Sequence, residues 1–143
     1  MTETFKITKE FRFEVAHLLD GHDGKCKNLH GHSYVLHVEL TDMLYREGPK
    51  EGMVFDFSDL KEIVEQKIVS QMDHSFIYDT RSERECKIAK VLMECDSKVY
   101  GVPFRTTAEL IAKYIFNCLK QNKLPVSAIR LWESAHSFCE YRP

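Results

Sequence analysis

Two alternating stretches, each carrying histidine at one end, most constrain how this 143-residue chain can fold. From Thr4 to His17 the odd positions include Phe5, Ile7, Phe11, Phe13, Val15 and His17, while the even ones are mostly polar. That period of two predicts a strand with His17 ending its apolar side. From His30 to Leu40 the even positions are His30, His32, Tyr34, Leu36, Val38 and Leu40, so a second strand puts His30 and His32 on its apolar face and His37 on the other. Between them, Asp20-Gly21-His22-Asp23-Gly24 is a turn-forming run and predicts a loop over residues 18–29. If the two strands pair as neighbours, the end of one lies beside the start of the other and three imidazoles face inward.

A single inward histidine is most simply a hydrogen-bonded strand residue. Three on one face, two of them in a His-x-His pair, form one facet of a tetrahedron, which is what a catalytic zinc site takes when its fourth position stays open. His17, His30 and His32 are therefore the candidate metal ligands. Cys26 lies in the same loop, and flanking Lys25 and Lys27 together with a nearby dication favour its thiolate form. Spacing leaves two roles open for it. As a fourth ligand it would close the site into an inert structural one; otherwise it is free as a nucleophile or base.

Further along, Met53 to Phe57 reads as a short strand. Asp59 and Glu62 resemble a capping box opening a helix with Leu60, Ile63, Val64, Ile68 and Met72 as its apolar stripe, ending near Asp73-His74. Phe76 to Tyr78 is predicted extended. Ile88, Val91, Leu92 and Cys95 suggest an amphipathic helix within residues 83–97, and Val99 to Phe104 is extended. Thr106 and Glu109 form a second capping box ahead of the stripe Leu110, Ile111, Tyr114, Ile115, Cys118 and Leu119. Strands over Val126 to Glu133 and Ser137 to Tyr141 close the chain. The order predicts an antiparallel α+β fold, one domain over residues 1–143.

Three other groups carry possible chemistry. Asp73 beside His74 is the pairing by which a carboxylate holds an imidazole tautomer for proton transfer, although neighbours in sequence need not touch. Glu133 ends the face of Ser127, Ile129 and Leu131, and an inward carboxylate there calls for donors such as a ligand amidine; an exposed edge residue explains it equally well. Glu109 is accounted for by its cap, and His22, Asp23, His37 and His136 by loop or surface roles.

Composition narrows the class. With 20 Lys and Arg against 22 Asp and Glu, the formal charge of −2 argues against a nucleic-acid or anionic-membrane surface. No apolar N-terminal region and no apolar run of about 20 residues is present, so the expectation is a cytoplasmic protein. Five scattered cysteines without a CxxC pair fit reduced thiols there.

Taken in order, Phe13-Glu14-Val15-Ala16-His17, Cys26 with His30-Gly31-His32, Val54-Phe55-Asp56-Phe57, Asp73-His74, Thr106-Thr107-Ala108-Glu109 and Glu133 resemble the 6-pyruvoyltetrahydropterin synthase and 6-carboxytetrahydropterin synthase group. The resemblance implies a tunnelling fold (T-fold): a four-stranded antiparallel sheet with two or three helices on one face. Subunits assemble into a barrel, as a homo-oligomer (a hexamer built as a dimer of trimers) with active sites at subunit boundaries. It implies Zn2+ on His17, His30 and His32, Cys26 as proton acceptor, and His74 with Asp73 as a relay. Glu133 would anchor the pterin, and Thr106, Thr107 and Glu109 would line its pocket. The implied substrate is 7,8-dihydroneopterin triphosphate. Carbon–carbon cleavage gives 6-carboxytetrahydropterin and acetaldehyde, and elimination alone gives the pyruvoyl product. Three residues separate Cys26 from His30, as in the carboxy enzymes of queuosine and other 7-deazapurine pathways, whereas pyruvoyl enzymes usually have a longer spacer. A non-catalytic protein with a structural zinc is the alternative of a different class. Thr106 stands where relatives often carry proline, and residues 81–104 are longer than in compact members.

Overall fold

The structure, a computed structural model, describes residues 2–143. The two alternating stretches form β1 (Phe5–His17) and β2 (His30–Asp42), paired antiparallel along their whole length, with His17 opposite His30 and Val15 opposite His32. Gly31 lies opposite Ala16, and a Cβ there would come within 3.1 Å of the Val15 carbonyl oxygen, so the small residue between the two histidines permits close strand approach. β2 also pairs antiparallel with β5 (Val126–Ser134), which pairs with β6 (Ser137–Tyr141).

The sheet has six strands, not the four expected: beyond β1 lie two more, Ser75–Asp79 (β3) and Val99–Val102 (β4), in the order β4-β3-β1-β2-β5-β6. β3 joins β1 in parallel through Val15–Ser75 and Ala16–Phe76, and β4 joins β3 in parallel. The antiparallel expectation holds for β1, β2, β5 and β6, while the added edge is parallel. The α+β class stands.

α1 (Phe57–Val64), a π-helical stretch (Glu65–Val69) and α2 (Ser70–Met72) run on as one rod. Leu60, Val64, Ile68 and Met72 are buried against the sheet, as their spacing predicts. The rod begins earlier than expected. Asp56, not Asp59, is its N-cap and accepts the Ser58 N–H at 2.7 Å. The strand expected over Met53–Phe57 does not form, because Asp56 must turn the chain into the helix; Val54 still enters the core. α4 (Ala108–Gln121) packs beside the rod through Ile111, Ala112, Ile115, Phe116 and Leu119. Its N-cap is Thr107, which accepts the Leu110 N–H, so the box expected from Thr106 and Glu109 is displaced by one residue.

Of the two or three helices expected on one face, the rod and α4 lie there, and α3 (Glu83–Glu94) lies elsewhere. Ala89, with Ile88 and Leu92, packs on Ala16, Leu18, Phe76 and Tyr78, a cluster separate from the main core. Ala16 and Phe76 alternate with Val15 and Ile77, which belong to that main core, so α3 covers the opposite side of the β1–β3 edge. Its buried face is centred on Glu85 and Ala89, while Val91 and Cys95, assigned to the apolar stripe, are exposed. No helix among the described residues is long and apolar enough to cross a membrane.

The side of β2 that alternation leaves polar holds one buried carboxylate. Glu39 is 4% exposed and is paired by Arg142 at 2.7 and 3.1 Å, with Ser127 at 2.6 Å and Arg130 at 3.4 Å. The Arg142 hydrogen bonds, partly opposed by burial, hold its pKa at about 2 against 4.5 for a free carboxyl. A depressed folded-state pKa contributes stability that is present above the unfolded value and lost as pH falls from about 4.5 through about 2. Glu39→Gln should therefore lower stability at pH 7 by at most about 3 kcal/mol and flatten its pH dependence below pH 5, measured by urea unfolding at pH 7 and pH 3.5. Equal slopes for both proteins would remove Glu39 from the acid response.

Candidate active site

His17 and His30 face each other at the end of the β1–β2 ladder where the 18–29 loop joins the strands, and His32 lies one side-chain step further along β2. Their ring centroids are 4.6, 5.1 and 5.0 Å apart for the pairs 17–30, 17–32 and 30–32, and one ligand nitrogen from each comes within 4.8 Å of the others. No other such trio exists among the described residues, and Cys26 is not part of it.

The tautomers follow from the partners. His17 Nδ1–H donates to the Thr106 carbonyl at 2.9 Å, with Thr106 Oγ1 at 3.2 Å, and His30 Nδ1–H donates to the Asn28 carbonyl at 2.8 Å. Carbonyl oxygens only accept, so each ring keeps its Nε2 lone pair for the space between them. His17 is 1% exposed and its Nε2 has no partner. Burial, then the neighbouring His30 and His32, lowers its pKa to about 4, so it is neutral at pH 7. A buried, neutral nitrogen without a partner, converging with two others, fits a divalent cation of the zinc type. Thr106 thus acts from behind His17 through its main chain, and residue 106 itself is fully buried.

The remaining site residues fall into three groups. Cys26 sits half-buried on a short 3-10 turn (Lys25–Lys27), where its carbonyl accepts the Leu19 N–H at 2.9 Å. Asp73 and His74 do touch: His74 Nδ1 lies 3.0 Å from Asp73 Oδ1. β1 holds the pair by two bonds, Glu14 N–H to Asp73 Oδ1 at 2.8 Å and His74 N–H to the Glu14 carbonyl at 2.7 Å, and Lys98 Nζ donates to the Ser70 and Asp73 carbonyls at 2.7 Å each. The Glu14 amide is the main cause of Asp73's lowered pKa. His74 adopts φ +58, a left-handed conformation rare outside glycine, and its side chain is 77% exposed. It borders a groove of about 360 Å3 with Ala16, Phe76 and Leu92, side chains of the face opposite His17. The structure does not bring the Asp73–His74 pair to the imidazoles of its own chain.

Glu109 and Glu133 share a cleft of about 260 Å3 with Ala108, Ser137, Phe138 and Cys139. The β5–β6 register shifts between Trp132 and Ser134, so Glu133 sits at an irregularity of the strand and not on a continuous face. Burial, then the Glu109 carboxylate, pushes the Cys139 thiol up to about 11. Tyr34 joins this cleft to the imidazoles: its ring stacks on His32 at 5.4 Å, and its buried hydroxyl, without a partner, has Glu133 as its foremost charged neighbour. Thr107 is taken up by the α4 cap. Tyr34, Asn28, Glu14 and Lys98 escape sequence reasoning. Asn28 and Glu14 act through main-chain groups, which no side-chain pattern marks, and Tyr34 is indistinguishable from a core aromatic.

Comparison with known proteins gives one answer. A family profile described as 6-pyruvoyl tetrahydropterin synthase matches residues 6–143. The chain is 61% identical over 139 residues to the 6-carboxy-5,6,7,8-tetrahydropterin synthase of Haemophilus influenzae, covering 96% of this chain and 99% of that one. It is 32% identical over 162 residues to the enzyme of the same name from Aquifex aeolicus, covering 96% and 98%. Among solved structures, an uncharacterized protein of Wolinella succinogenes superposes with a TM-score of 0.78 at 22% identity over 99% of both chains. The 6-pyruvoyl tetrahydropterin synthase of Caenorhabditis elegans superposes with 0.71 at 23% over 99% of this chain and 97% of that one, a likeness of fold. The chain belongs to the 6-pyruvoyl tetrahydropterin synthase family.

Proposed function

We propose that this chain, as a single domain over residues 1–143, is a zinc-dependent 6-carboxytetrahydropterin synthase. It is a carbon–carbon lyase converting 7,8-dihydroneopterin triphosphate and water to 6-carboxytetrahydropterin, acetaldehyde and triphosphate in the cytoplasm, on the way to queuosine or a related 7-deazapurine. The observation that carries the metal-dependent part is the unpartnered, buried Nε2 of His17 converging with His30 and His32. The carboxy product is supported by the relatives' names and by the three residues between Cys26 and His30.

His17, His30 and His32 would hold the ion. Bound zinc supplies Lewis-acid polarisation of substrate oxygens, which acidifies neighbouring C–H and O–H bonds. Cys26 takes up a proton on one side of the substrate side chain. His74, its tautomer held by Asp73, moves a proton on the other. Because the His74 side chain is exposed and makes no hydrogen bond to its own imidazoles, a neighbouring subunit would complete the relay, in the homo-oligomer, a dimer of trimers with sites at subunit boundaries, that the resemblance implies. Glu133 accepts hydrogen bonds from the N3–H and 2-amino donors of the pterin, in a cleft that Glu109 and main-chain groups near Thr107 complete.

The test is incubation of the zinc-loaded protein with 7,8-dihydroneopterin triphosphate and identification of the product by mass. The expected product is 6-carboxytetrahydropterin. A pyruvoyl product would overturn the subfamily assignment, and no consumption would overturn the function. Glu133→Gln should raise KM about 10- to 100-fold, since it removes charge-assisted acceptance of two donors, and leave metal content unchanged. An unchanged KM would place the pterin elsewhere.

A further inference from the structure

The loop that carries Cys26 has few anchors. Its 3-10 turn buries no residue, and among the described residues the hydrogen bonds of residues 21–28 stay within the loop or go to His30. The loop closes on itself where Leu19 N–H meets the Cys26 carbonyl at 2.9 Å, so Cys26 is placed by what holds residues 18–20 on one side and by the Asn28–His30 bond on the other. Leu18 and Asp20 are held by α3 and the chain around it. Leu18, 1% exposed, packs with Phe76 and Ala89. Asp20 Oδ2 accepts the Ser82 Oγ–H at 2.6 Å, Arg84 Nη1 lies 3.7 Å from Asp20 Oδ1, and Arg105 Nη2 donates to the Asp20 carbonyl at 3.2 Å. Ser82 is itself the N-cap of α3, accepting the Glu85 N–H at 3.1 Å. The helix is fixed to the sheet in turn: Glu85, 1% exposed, accepts the Asp79 N–H at 3.1 Å.

We propose that α3, in the long 81–104 segment, is the platform that positions the Cys26 thiol beside the metal site, with the Ser82–Asp20 hydrogen bond as its point of attachment and Asp20 as a positioning residue. This rests on the catalytic role proposed for Cys26, and it assigns Asp20 and Ser82 no contact with substrate. Arg105 extends the same frame to the ligands, because the next residue, Thr106, holds His17. A displacement of about an ångström at a reacting group is enough to cost up to about 100-fold in rate, so a tether of this kind is felt at turnover.

The chain supplies its own reporters. Cys86 lies half-buried on α3 with Sγ donating to the Thr80 carbonyl at 3.3 Å, and Cys95 is exposed at the end of the same helix. Asp20→Ala, Asp20→Asn and wild type are treated with iodoacetamide in the zinc-loaded oligomer, and alkylation of each cysteine is followed by peptide mass. In Asp20→Ala the Cys26 rate relative to Cys95 should change by at least about threefold with Cys86 unaltered, and kcat should fall about tenfold with KM and zinc content within about twofold of wild type. Asp20→Asn keeps an acceptor for Ser82 and should restore both. If Asp20→Ala does not fold, Ser82→Asp keeps a helix cap while setting like charges against Asp20, and should shift the Cys26 rate likewise. A Cys26 ratio unchanged in a folded variant overturns the proposal whatever turnover does. A shifted ratio in a protein whose wild type consumes no dihydroneopterin triphosphate overturns the catalytic assignment and leaves the tether standing.

Discussion

Cys26→Ala should abolish turnover of 7,8-dihydroneopterin triphosphate, by about 100- to 10,000-fold as expected for loss of a positioned proton acceptor, while the protein still binds about one zinc per chain. The two halves of the result come from different parts of the structure. Metal content depends on His17, His30 and His32, whose nitrogens converge without the thiol. Catalysis on this proposal depends on a thiol carried by a loop whose turn buries nothing, so its removal leaves no cavity in the core. Elemental analysis and product formation on the same preparation check it. Loss of metal together with loss of fold would make Cys26 a fourth ligand and the zinc structural. Cys26→Ser with substantial activity would show that the thiol's ease of deprotonation is not what the step requires.

That separation was only half legible in the sequence. Period-two alternation set His17, His30 and His32 on one face and His37 on the other, because strand parity and an antiparallel neighbour leave little freedom. It could not decide the role of Cys26, since a 12-residue loop sets no side-chain position by its spacing. Helices were legible where an apolar stripe ran several turns, as in residues 60–72 and 111–119, but their starts were missed. Asp56 and Thr107, not Asp59 and Thr106, meet the free amides, and which of two neighbouring polar residues does so depends on main-chain entry angles. Of α3, the helix and its Ile88 and Leu92 contacts are legible in the sequence, and its buried centre and the face it covers are not. A buried Glu85 breaks the apolar pattern, and its partners Phe76 and Ala16 lie on a sheet face that looks exposed until β3 adds in parallel beside β1. The carbonyls of Thr106 and Asn28 that orient two ligands belong to the main chain and leave no trace in side-chain pattern.

Removing the metal should produce the other large effect, and should do so without unfolding the chain. Dialysis against a chelator is expected to bring turnover to background, and one equivalent of zinc per chain should restore it. The apo protein should keep its far-ultraviolet circular dichroism, because the main core is held by apolar packing of Phe11, Phe13, Leu36, Val38, Ile115 and their neighbours, while His30 and His32 are only half-buried. The melting temperature should fall, since a ligand present at 100 times its dissociation constant contributes about 2.7 kcal/mol to the folded state. His32→Ala should match the apo protein in activity and resist rescue by zinc. It is the better ligand variant because His32, unlike His17, has no hydrogen bond whose loss would strand a buried carbonyl. Coincident loss of zinc and of secondary structure would mean that the ion holds the fold. Full activity in a protein shown by elemental analysis to be metal-free would mean that the converging imidazoles serve the substrate directly.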